Sequence, residues 1–438
     1  MKKNEFLIQK SINQQNTVYV TVPIHEDSNY LIHAIASADS HWQEKGKESC
    51  LIRMYVDGEY HQDFVLFYGQ SLFSYTRMLG YLKRGSYSLT FEFVPTVETE
   101  SERAWLEKIM IEEVPAAHPD SIAFTYAPLL YGRNVYSSYD SVYTDTPLVM
   151  FYRIGPWNDG MMIEYQMVFS HEDEGTAAPM LMARWGRLLD IEWMVRVYVD
   201  REGNIVRSTY QGPHHVTTEY KGLYLDGTHP ILQTATCNGN FTDEITSAYR
   251  FFFPPAFQWK LTREPREVVM EKFPFCNQVM LWEANRQVKY AAKSDAKHPE
   301  LIAPTEYLYL HSSKWCKEDV SASIDFLVMF KGMEESFSSS FEGFESDRMR
   351  AFYEGPYPCF ATTLKLPKNK TFQDVEKIEA RLISDDAEEL IVKNIRVFSL
   401  TEEGEFKLEI EETFQVTLTN NERKKEILNV QQIKEALK

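Results

Sequence analysis

The chain has 438 residues, 44% of them hydrophobic and 25% charged, a composition typical of a multidomain globular protein. Its formal net charge of −18 disfavours nucleic acids and anionic membrane surfaces as partners, because both bind basic patches. No apolar run reaches the ~20 residues that span a bilayer as a helix, and the five scattered cysteines form neither a disulfide framework nor a zinc motif. These features predict a cytoplasmic protein, or a secreted one whose signal peptide has been removed.

The first predicted domain, residues 1–115, contains short segments that alternate apolar and polar residues or are apolar throughout, as antiparallel strands do. Asp57-Gly58 lies between two such segments and predicts a hairpin, because glycine supplies the positive φ of a primed turn. Gly80 and Gly85 flank a second predicted turn. The segments are VYVTV (18–22), LIRMYVDGEYHQDFVLF (51–67), SYSLTFEFV (86–94) and WLEKIMIEEV (105–114). In layout this region resembles a carbohydrate-binding-type jelly roll.

The second predicted domain, residues 116–305, is a central β-sandwich that holds most of the candidate functional residues. Its predicted strands are 149–152, 162–169, 191–200 and 204–210. The segment EPREVVMEKFPF (264–275) predicts a helix that ends at Pro274, because proline interrupts a helix interior.

The third predicted domain, residues 306–438, is again rich in strands and ends in a predicted amphipathic helix over 421–438. SFSSSFEGFESDR (336–348) is interpreted as a low-complexity loop. The predicted strands lie in SIDFLVMF (323–330), ARLIS (380–384), LIVKNIRVFSL (390–400) and EFKLEIEETFQVTL (405–418). The predicted fold class is therefore mostly β, with several antiparallel, jelly-roll-like sandwich domains and few short helices.

Asp190 and Glu192 stand two residues apart in an otherwise apolar strand, so their side chains are predicted to share one face. Neighbouring carboxylates repel each other unless a positive group lies between them. A Ca²⁺ or Mg²⁺ ion fits this role, with Asp173 as a third ligand. Arg184 and Arg187 fit it equally, by pairing with the carboxylates or with an anionic ligand group. A solvated strand face with surface ion pairs is the third interpretation.

His214 and His215 follow the next predicted strand, in YQGPHHVTTEY (210–220). Adjacent residues of a strand point to opposite faces, so at most one of the two histidines reaches a shared site. His214 is the predicted metal ligand or hydrogen-bond donor.

The segment 118–147 is rich in tyrosine, whose apolar ring and polar tip suit a sugar. The segment is predicted to form one wall of a sugar-binding site, with Tyr131, Arg133 and Asp145 as the residues that contact the sugar. The same role is predicted for Tyr126, Tyr136, Tyr139 and Tyr143 of this segment and for Tyr152 and Tyr165 further along the chain. The alternative is that these tyrosines line the core of the sandwich and its rim.

Four segments in sequence resemble the central region of the necrosis-inducing, NLP-type cytolysin family: IEYQMVFSHEDEG, GRLLDIEWMVRVYVDREGN, YQGPHH and HPILQTATCNGNFTDEITSAYRFFF. Gly186-Arg187 matches the start of the family's Gly-His-Arg-His-Asp-Trp-Glu block, and Asp190 and Glu192 match its end. Leu188-Leu189 stand where a histidine is expected, and Ile191 replaces the tryptophan. The resemblance implies a β-sandwich whose carboxylates and histidines bind a divalent cation, in secreted proteins that recognise sphingolipid sugar headgroups.

These observations predict that the chain binds a glycan or glycoconjugate, with or without a divalent cation, and leave its oligomeric state open. One alternative is a carbohydrate-active hydrolase or lyase in which Asp190 and Glu192 act as acid and base. The other is a structural scaffold without a small-molecule site.

Overall fold

The computed structural model describes residues 3–95, 100–134, 146–171, 176–290, 300–316, 322–343, 345, 350–384, 387–430 and 432. This part of the chain is predominantly β, so the predicted fold class is confirmed. The chain divides into two compact units. The first comprises Met1–Asp173 and Asp190–Gln258, and the second comprises Glu174–Leu189 and Trp259–Lys438.

The first eight strands form two four-stranded sheets in the first unit. They are β1 (Lys3–Asn13), β2 (Val18–Ile24), β3 (Ser28–Ala38), β4 (Cys50–Val56), β5 (Glu59–Leu66), β6 (Phe73–Leu82), β7 (Gly85–Val94) and β8 (Arg103–Val114). The sheet orders are β1-β8-β3-β6 and β2-β7-β4-β5, with every pair antiparallel. The strands predicted for this region are therefore present.

The predicted hairpin at Asp57-Gly58 is confirmed, since both residues have positive φ, 49° and 85°, as a primed turn requires. The Ser88 amide donates to Asp57 Oδ1 at 2.7 Å, which ties this turn to β7. Gly80 does not flank a turn directly. It lies inside β6 at a bulge, with φ of 78°, opposite Tyr30.

The remaining strands of the first unit form a six-stranded and a five-stranded sheet, preceded by the short helix α1 (Ser121–Thr125). They are β9 (Leu129–Tyr131), β10 (Pro147–Trp157), β11 (Gly160–Phe169), β12 (Asp190–Val199), β13 (Ile205–Gly212), β14 (Val216–Glu219), β15 (Tyr224–Leu225), β16 (His229–Thr234), β17 (Phe241–Thr242), β18 (Arg250–Phe251) and β19 (Pro255–Gln258). The orders are β14-β13-β12-β11-β10-β19 and β15-β16-β9-β18, with β17 beside β16. Only the β10–β19 and β9–β16 pairs among these described strands are parallel.

One apolar core extends through the first unit, from Leu31 and Met78 of the N-terminal sheets to Met167 and Val195 of the six-stranded sheet. Residue 115, a predicted domain boundary, is therefore not a break in this core. Residues 259–305 group with the C-terminal strands rather than with the central ones. Independent folding of the predicted domains 1–115, 116–305 and 306–438 stays a prediction.

Polar contacts, buried or partly buried, also connect the N-terminal and central strands of the first unit. Arg250 Nε donates to the carbonyl of His61, and its Nη2 donates to that of Tyr60, both at 2.8 Å. The Phe252 amide donates to Gln62 Oε1 at 3.0 Å. These bonds satisfy backbone groups that a buried strand edge would otherwise leave unpaired.

A buried carboxylate lies on the face of β11 opposite the core. Glu164 accepts from Arg153 Nη2 at 2.8 Å and from Arg196 Nε at 2.5 Å. Burial alone would raise the pKa of Glu164, but the two arginines hold it below its usual range. Glu164 is therefore a structural carboxylate, charged and fully paired.

The described part of the second unit contains two antiparallel four-stranded sheets and three α-helices. The strands are β20 (Tyr307–Cys316), β21 (Ile324–Phe330), β22 (Ser336–Ser338), β23 (Cys359–Lys365), β24 (Val375–Leu382), β25 (Glu389–Leu400), β26 (Phe406–Thr419) and β27 (Lys424–Asn429). The helices are α2 (Ala178–Trp185), α3 (Val268–Lys272) and α4 (Pro274–Tyr290). The sheet orders are β23-β20-β25-β26 and β22-β21-β24-β27. Helix α2 packs on β23, where the Thr363 hydroxyl donates to the Met182 carbonyl at 2.7 Å.

Three predictions for the second unit need correction. The helix predicted over 264–275 is two helices, and Pro274 begins α4 instead of ending a helix, because a residue without an N–H suits the first turn. The predicted terminal helix is wrong over Lys424–Asn429, which form β27 beside β24, while 433–438 lie outside the described residues. The predicted loop 336–348 begins with β22, and the Ser338 hydroxyl donates to buried Asp325 at 2.8 Å.

None of the helices among the described residues is long and apolar enough to cross a membrane. The five cysteines, all within the described ranges, are not joined by disulfides.

Candidate functional site

Asp190 and Glu192 begin β12, where antiparallel pairing with β11 places them opposite Phe169 and Met167. The register is regular over these residues, so both carboxylates share the face of β12 that carries the apolar core. The predicted common face is confirmed. Met194, two residues further on, is the extra residue of a β-bulge, which ends the regular alternation.

Asp190 is buried, with 3% of its surface exposed, and it lies against the backbone of the loop 235–240. Gly239 of this loop has φ of 57°, and a Cβ built on it would be 2.5 Å from Asp190 Oδ2. The same Cβ would be 3.1 Å from the ring of Phe169. Glycine is thus required at this position both by the backbone conformation and by the close approach of the carboxylate.

Glu192 is joined to β13 and to the turn that follows it through Gln211. The Gln211 Nε2 donates to Glu192 Oε2 at 2.5 Å and lies 2.6 Å from His215 Nδ1. Gln211 is only 2% exposed, and no described residue donates to its Oε1. A buried amide therefore links a carboxylate on one side to an imidazole on the other.

Two asparagines of the loop 235–240 complete this arrangement. Asn238 Nδ2 lies 3.1 Å from His215 Nε2, and Asn240 Nδ2 lies 3.5 Å from His215 Nδ1. Both asparagines are buried, whereas the side chain of His215 is 53% exposed. The loop is held by the Ala235 amide, which donates to the Asn240 carbonyl at 2.7 Å.

These groups are called here the β12 polar cluster: Asp190, Glu192, Gln211, His215, Asn238 and Asn240. It combines carboxylate acceptors, amides that can donate and accept, and one accessible imidazole. Such a set suits a ligand whose hydroxyl groups donate and accept hydrogen bonds at the same time.

The divalent cation at Asp190 and Glu192 stays a prediction. Among the described residues, no group of three or more His, Cys, Asp and Glu side chains could hold one. Asp173, the predicted third ligand, lies outside the described residues.

His215, and not the predicted His214, is the histidine of the cluster. Both lie in the 3₁₀ turn Pro213–His215 with positive φ, 60° and 59°, so the alternation expected in a strand does not apply. His214 is exposed.

The two predicted arginine contacts belong to ion pairs of the second unit. Arg184 Nη1 lies 3.2 Å from Glu354 Oε1, and Arg187 Nε donates to Glu267 Oε1 at 3.0 Å. Arg187 also donates to the carbonyl of Leu189. The predicted pairing of these arginines with Asp190 and Glu192 stays a prediction.

The predicted tyrosine wall is in large part core. Tyr126, Tyr152 and Tyr165 belong to the apolar core of the first unit, which confirms the alternative interpretation for these three. Tyr165 donates to the Ala123 carbonyl at 2.7 Å, and burial raises its pKa well above the usual range. Tyr136, Tyr139, Tyr143 and Asp145 lie outside the described residues.

Tyr131 and Arg133 lie at the end of β9 and just beyond it. The Tyr131 hydroxyl accepts from Arg250 Nη1 at 3.1 Å, and the Arg133 side chain is buried. Parallel pairing places Tyr131 opposite Gln233, at the end of β16 that leads into the loop 235–240. Whether these two residues contact a ligand stays a prediction.

Gln211, Asn238 and Asn240 carry no motif, so their place in the cluster could not be predicted from the sequence. The available signal was indirect: Asn238-Gly239 is a turn dipeptide, and a turn beside a buried carboxylate supplies amide groups.

No family model and no curated protein sequence matches the chain. Among solved structures, NLPPya in complex with glucosamine is 17% identical, with a TM-score of 0.23, over 32% of this chain and 71% of that one. A structure described as a toxin fold for microbial attack and plant defense is 18% identical, with a TM-score of 0.24, over 34% of this chain and 77% of that one. The family 35 carbohydrate binding module from Clostridium thermocellum is 12% identical, with a TM-score of 0.19, over 24% and 90%.

The structural neighbours thus include an NLP-type protein, the family that the central region resembles in sequence, and carbohydrate-binding modules. At these identities and TM-scores, the likeness carries no argument about the site.

Proposed function

We propose that the chain binds a glycan or glycoconjugate at the β12 polar cluster. The observation that carries the proposal is the continuous Glu192–Gln211–His215 contact, which runs from a largely buried carboxylate to a half-exposed imidazole. The His215 imidazole is the exposed end of this contact, and the buried Gln211 amide holds it in line with Glu192.

The chemistry of the cluster favours a neutral saccharide. Sugar hydroxyls donate to a carboxylate or an amide oxygen and accept from an amide N–H or an imidazole, and the cluster offers all of these. An anionic ligand would face Asp190 and Glu192 and the net charge of −18, which repel it.

Binding explains the geometry better than hydrolysis does. In a glycosidase the acid and the second carboxylate flank the scissile bond. Asp190 and Glu192 instead lie on the same face of one strand, and Asp190 is covered by the loop 235–240. Turnover of a bound glycan that Glu192→Gln abolishes would be needed to assign an enzyme.

The proposal is tested with the full chain on a glycan array, followed by calorimetric titration of each ligand found. Gln211→Ala and Glu192→Gln are expected to weaken binding about tenfold each, since each removes a charge-assisted or buried hydrogen bond. The matched control is Glu219→Gln, which removes an exposed carboxylate of β14 that pairs with Arg207. Failure of every glycan to bind, or unchanged affinity in both cluster variants, would refute the proposal.

The hypothesis of a divalent cation is tested separately by thermal unfolding in EDTA and then with added Ca²⁺, Mg²⁺ or Mn²⁺. A rise in Tm with one ion, absent in Asp190→Asn, would show a metal site. Identical Tm values under all conditions would remove the cation from the proposal and leave the glycan site intact.

A further inference from the structure

A groove of about 340 Å³ lies on the sheet β1-β8-β3-β6 of the first unit. Its residues come from three of these strands and from two adjoining loops, and the ones used below are Ser11, Ser37, Asp39, Gln70, Arg103 and Trp105. The volume falls at the lower end of the range for small-molecule sites. None of these residues belongs to the β12 polar cluster.

Trp105 is the aromatic surface of this groove. It lies on β8 with 39% of its surface exposed, and its neighbours in register are Ser11 on β1 and Ser37 on β3. Its Nε1 donates to Glu107 Oε2 at 2.8 Å, which fixes the orientation of the indole. Because both neighbouring side chains are small serines, one face of the Trp105 ring is left uncovered and available for stacking.

Backbone hydrogen bonds hold the end of the groove in place. The Ala38 amide donates to the Gly69 carbonyl at 2.8 Å, which brings the loop containing Gln70 to the end of β3. The Asp39 carboxylate accepts from the Glu102 and Arg103 amides at 3.2 and 3.3 Å. The groove is therefore preorganised, which lowers the entropic cost of binding.

The polar groups around Trp105 complement a sugar ring. Arg103 lines the groove with an exposed side chain whose guanidinium carries donors only, and Gln70 is exposed at the rim. Asp39 and Ser37 add acceptors beside the indole. An aromatic face next to donors and acceptors matches a pyranose, which has an apolar C–H face and hydroxyls at its edge.

We propose that this groove is a second saccharide-binding site, in which a pyranose ring stacks on Trp105 while Asp39, Ser37 and Arg103 bind its hydroxyls. It is independent of the site proposed at the β12 polar cluster, and the chain is then bivalent for glycans. A bivalent protein binds a polymeric glycan more tightly than either site binds alone.

The test is calorimetric titration of the full chain with cellohexaose, xylohexaose and mannohexaose. Trp105→Ala is expected to weaken binding of at least one of them about tenfold or more, whereas Trp105→Phe, which keeps an aromatic face, retains most of the affinity. Trp315→Ala is the matched control, because Trp315 is a similarly exposed tryptophan on β20 of the second unit. Unchanged denaturation midpoints establish that the variants are folded.

The two proposals fail in distinguishable ways. If Gln211→Ala abolishes all binding and Trp105→Ala changes none, the groove is not a site and this inference is wrong. If Trp105→Ala abolishes binding and Gln211→Ala does not, the groove stands and the function proposed for the β12 polar cluster falls. Absence of saturable binding to all three oligosaccharides also overturns the inference.

Discussion

Gly239→Ala tests whether the loop 235–240 is held against Asp190 as the structure shows. Gly239 has φ of 57°, in the left-handed region, where an alanine costs about 1–2 kcal/mol. The new methyl group would also lie 2.5 Å from Asp190 Oδ2 and 3.1 Å from the Phe169 ring. Relieving such overlap in a packed interior costs a further ~1–3 kcal/mol.

The matched control is Gly227→Ala, in an exposed turn of the same unit. Gly227 has φ of 78°, but no heavy atom lies within 4 Å of the Cβ that alanine would add. This variant therefore reports the backbone strain alone, about 1–2 kcal/mol. The difference between the two substitutions isolates the contact with Asp190 and Phe169.

Urea denaturation at pH 7 measures both losses, and calorimetry with a glycan ligand measures the site. We expect Gly239→Ala to lose about 1–3 kcal/mol more than Gly227→Ala and to bind the ligand more weakly. Combining Gly239→Ala with Asp190→Ala, which removes the clashing carboxylate, is expected to cost less than the sum of the two single changes. Equal losses in the two glycine variants would refute the close packing of the loop on Asp190.

Three further predictions concern buried ionisable groups. Burial lowers the pKa of His61 to about 4, so the wild type loses free energy of unfolding as the pH falls from 6.5 towards 4, by at most about 3 kcal/mol. In His61→Gln, the free energy of unfolding measured in urea is expected to depend less on pH over this window. An unchanged pH dependence would contradict the prediction. Glu164→Gln is expected to lower the free energy of unfolding by about 3 kcal/mol at pH 7, and to abolish the loss of stability that the wild type shows as the pH falls below 4.5. An unchanged free energy of unfolding at pH 7 would show that pairing Arg153 and Arg196 does not require the charge of Glu164. Arg187→Ala leaves Glu267 buried without its ion pair and is expected to lower the free energy of unfolding, measured by thermal unfolding, by about 3–5 kcal/mol without changing the glycan affinity. A variant that keeps its stability but loses glycan affinity would instead support the binding role predicted from the sequence.

Features governed by local rules could be predicted from the sequence. The turn at Asp57-Gly58 follows from the φ angles that a two-residue hairpin demands. The common face of Asp190 and Glu192 follows from the two-residue period of a strand. Both inferences depend only on residues adjacent in the chain, and both are confirmed.

Features that depend on long-range contacts could not be predicted in this way. Gln211 reaches Glu192 across nineteen positions, and the loop 235–240 approaches Asp190 from still further along the chain. His215 replaces His214 because a 3₁₀ turn, rather than a continuing strand, follows β13. The contacts of Gln211 and of the loop 235–240 are decided by how segments distant in sequence meet, whereas the exchange of His214 for His215 follows from a local turn.

Residues with two structural roles account for two further differences between the sequence analysis and the structure. Proline ends some helices and begins others, and Pro274 follows a short helix only to start a longer one. Tyrosine suits both a sugar surface and a core in which its hydroxyl finds a carbonyl, as Tyr165 does. Composition alone does not distinguish these alternatives.

Helix α2 belongs to the second unit, although it lies in sequence between two strands of the first. Its carbonyl at Ala183 accepts from the hydroxyl of Thr362, which lies 179 positions later in the chain. At ordinary synthesis rates, roughly 10–40 s pass between the appearance of the two on the ribosome. During that time the apolar side chains of α2, including Met180 and Leu181, lack the strand β23 on which they pack. The nascent chain therefore carries an aggregation-prone segment, which chaperones are expected to bind. A fragment ending at Gln258 would keep that segment exposed permanently.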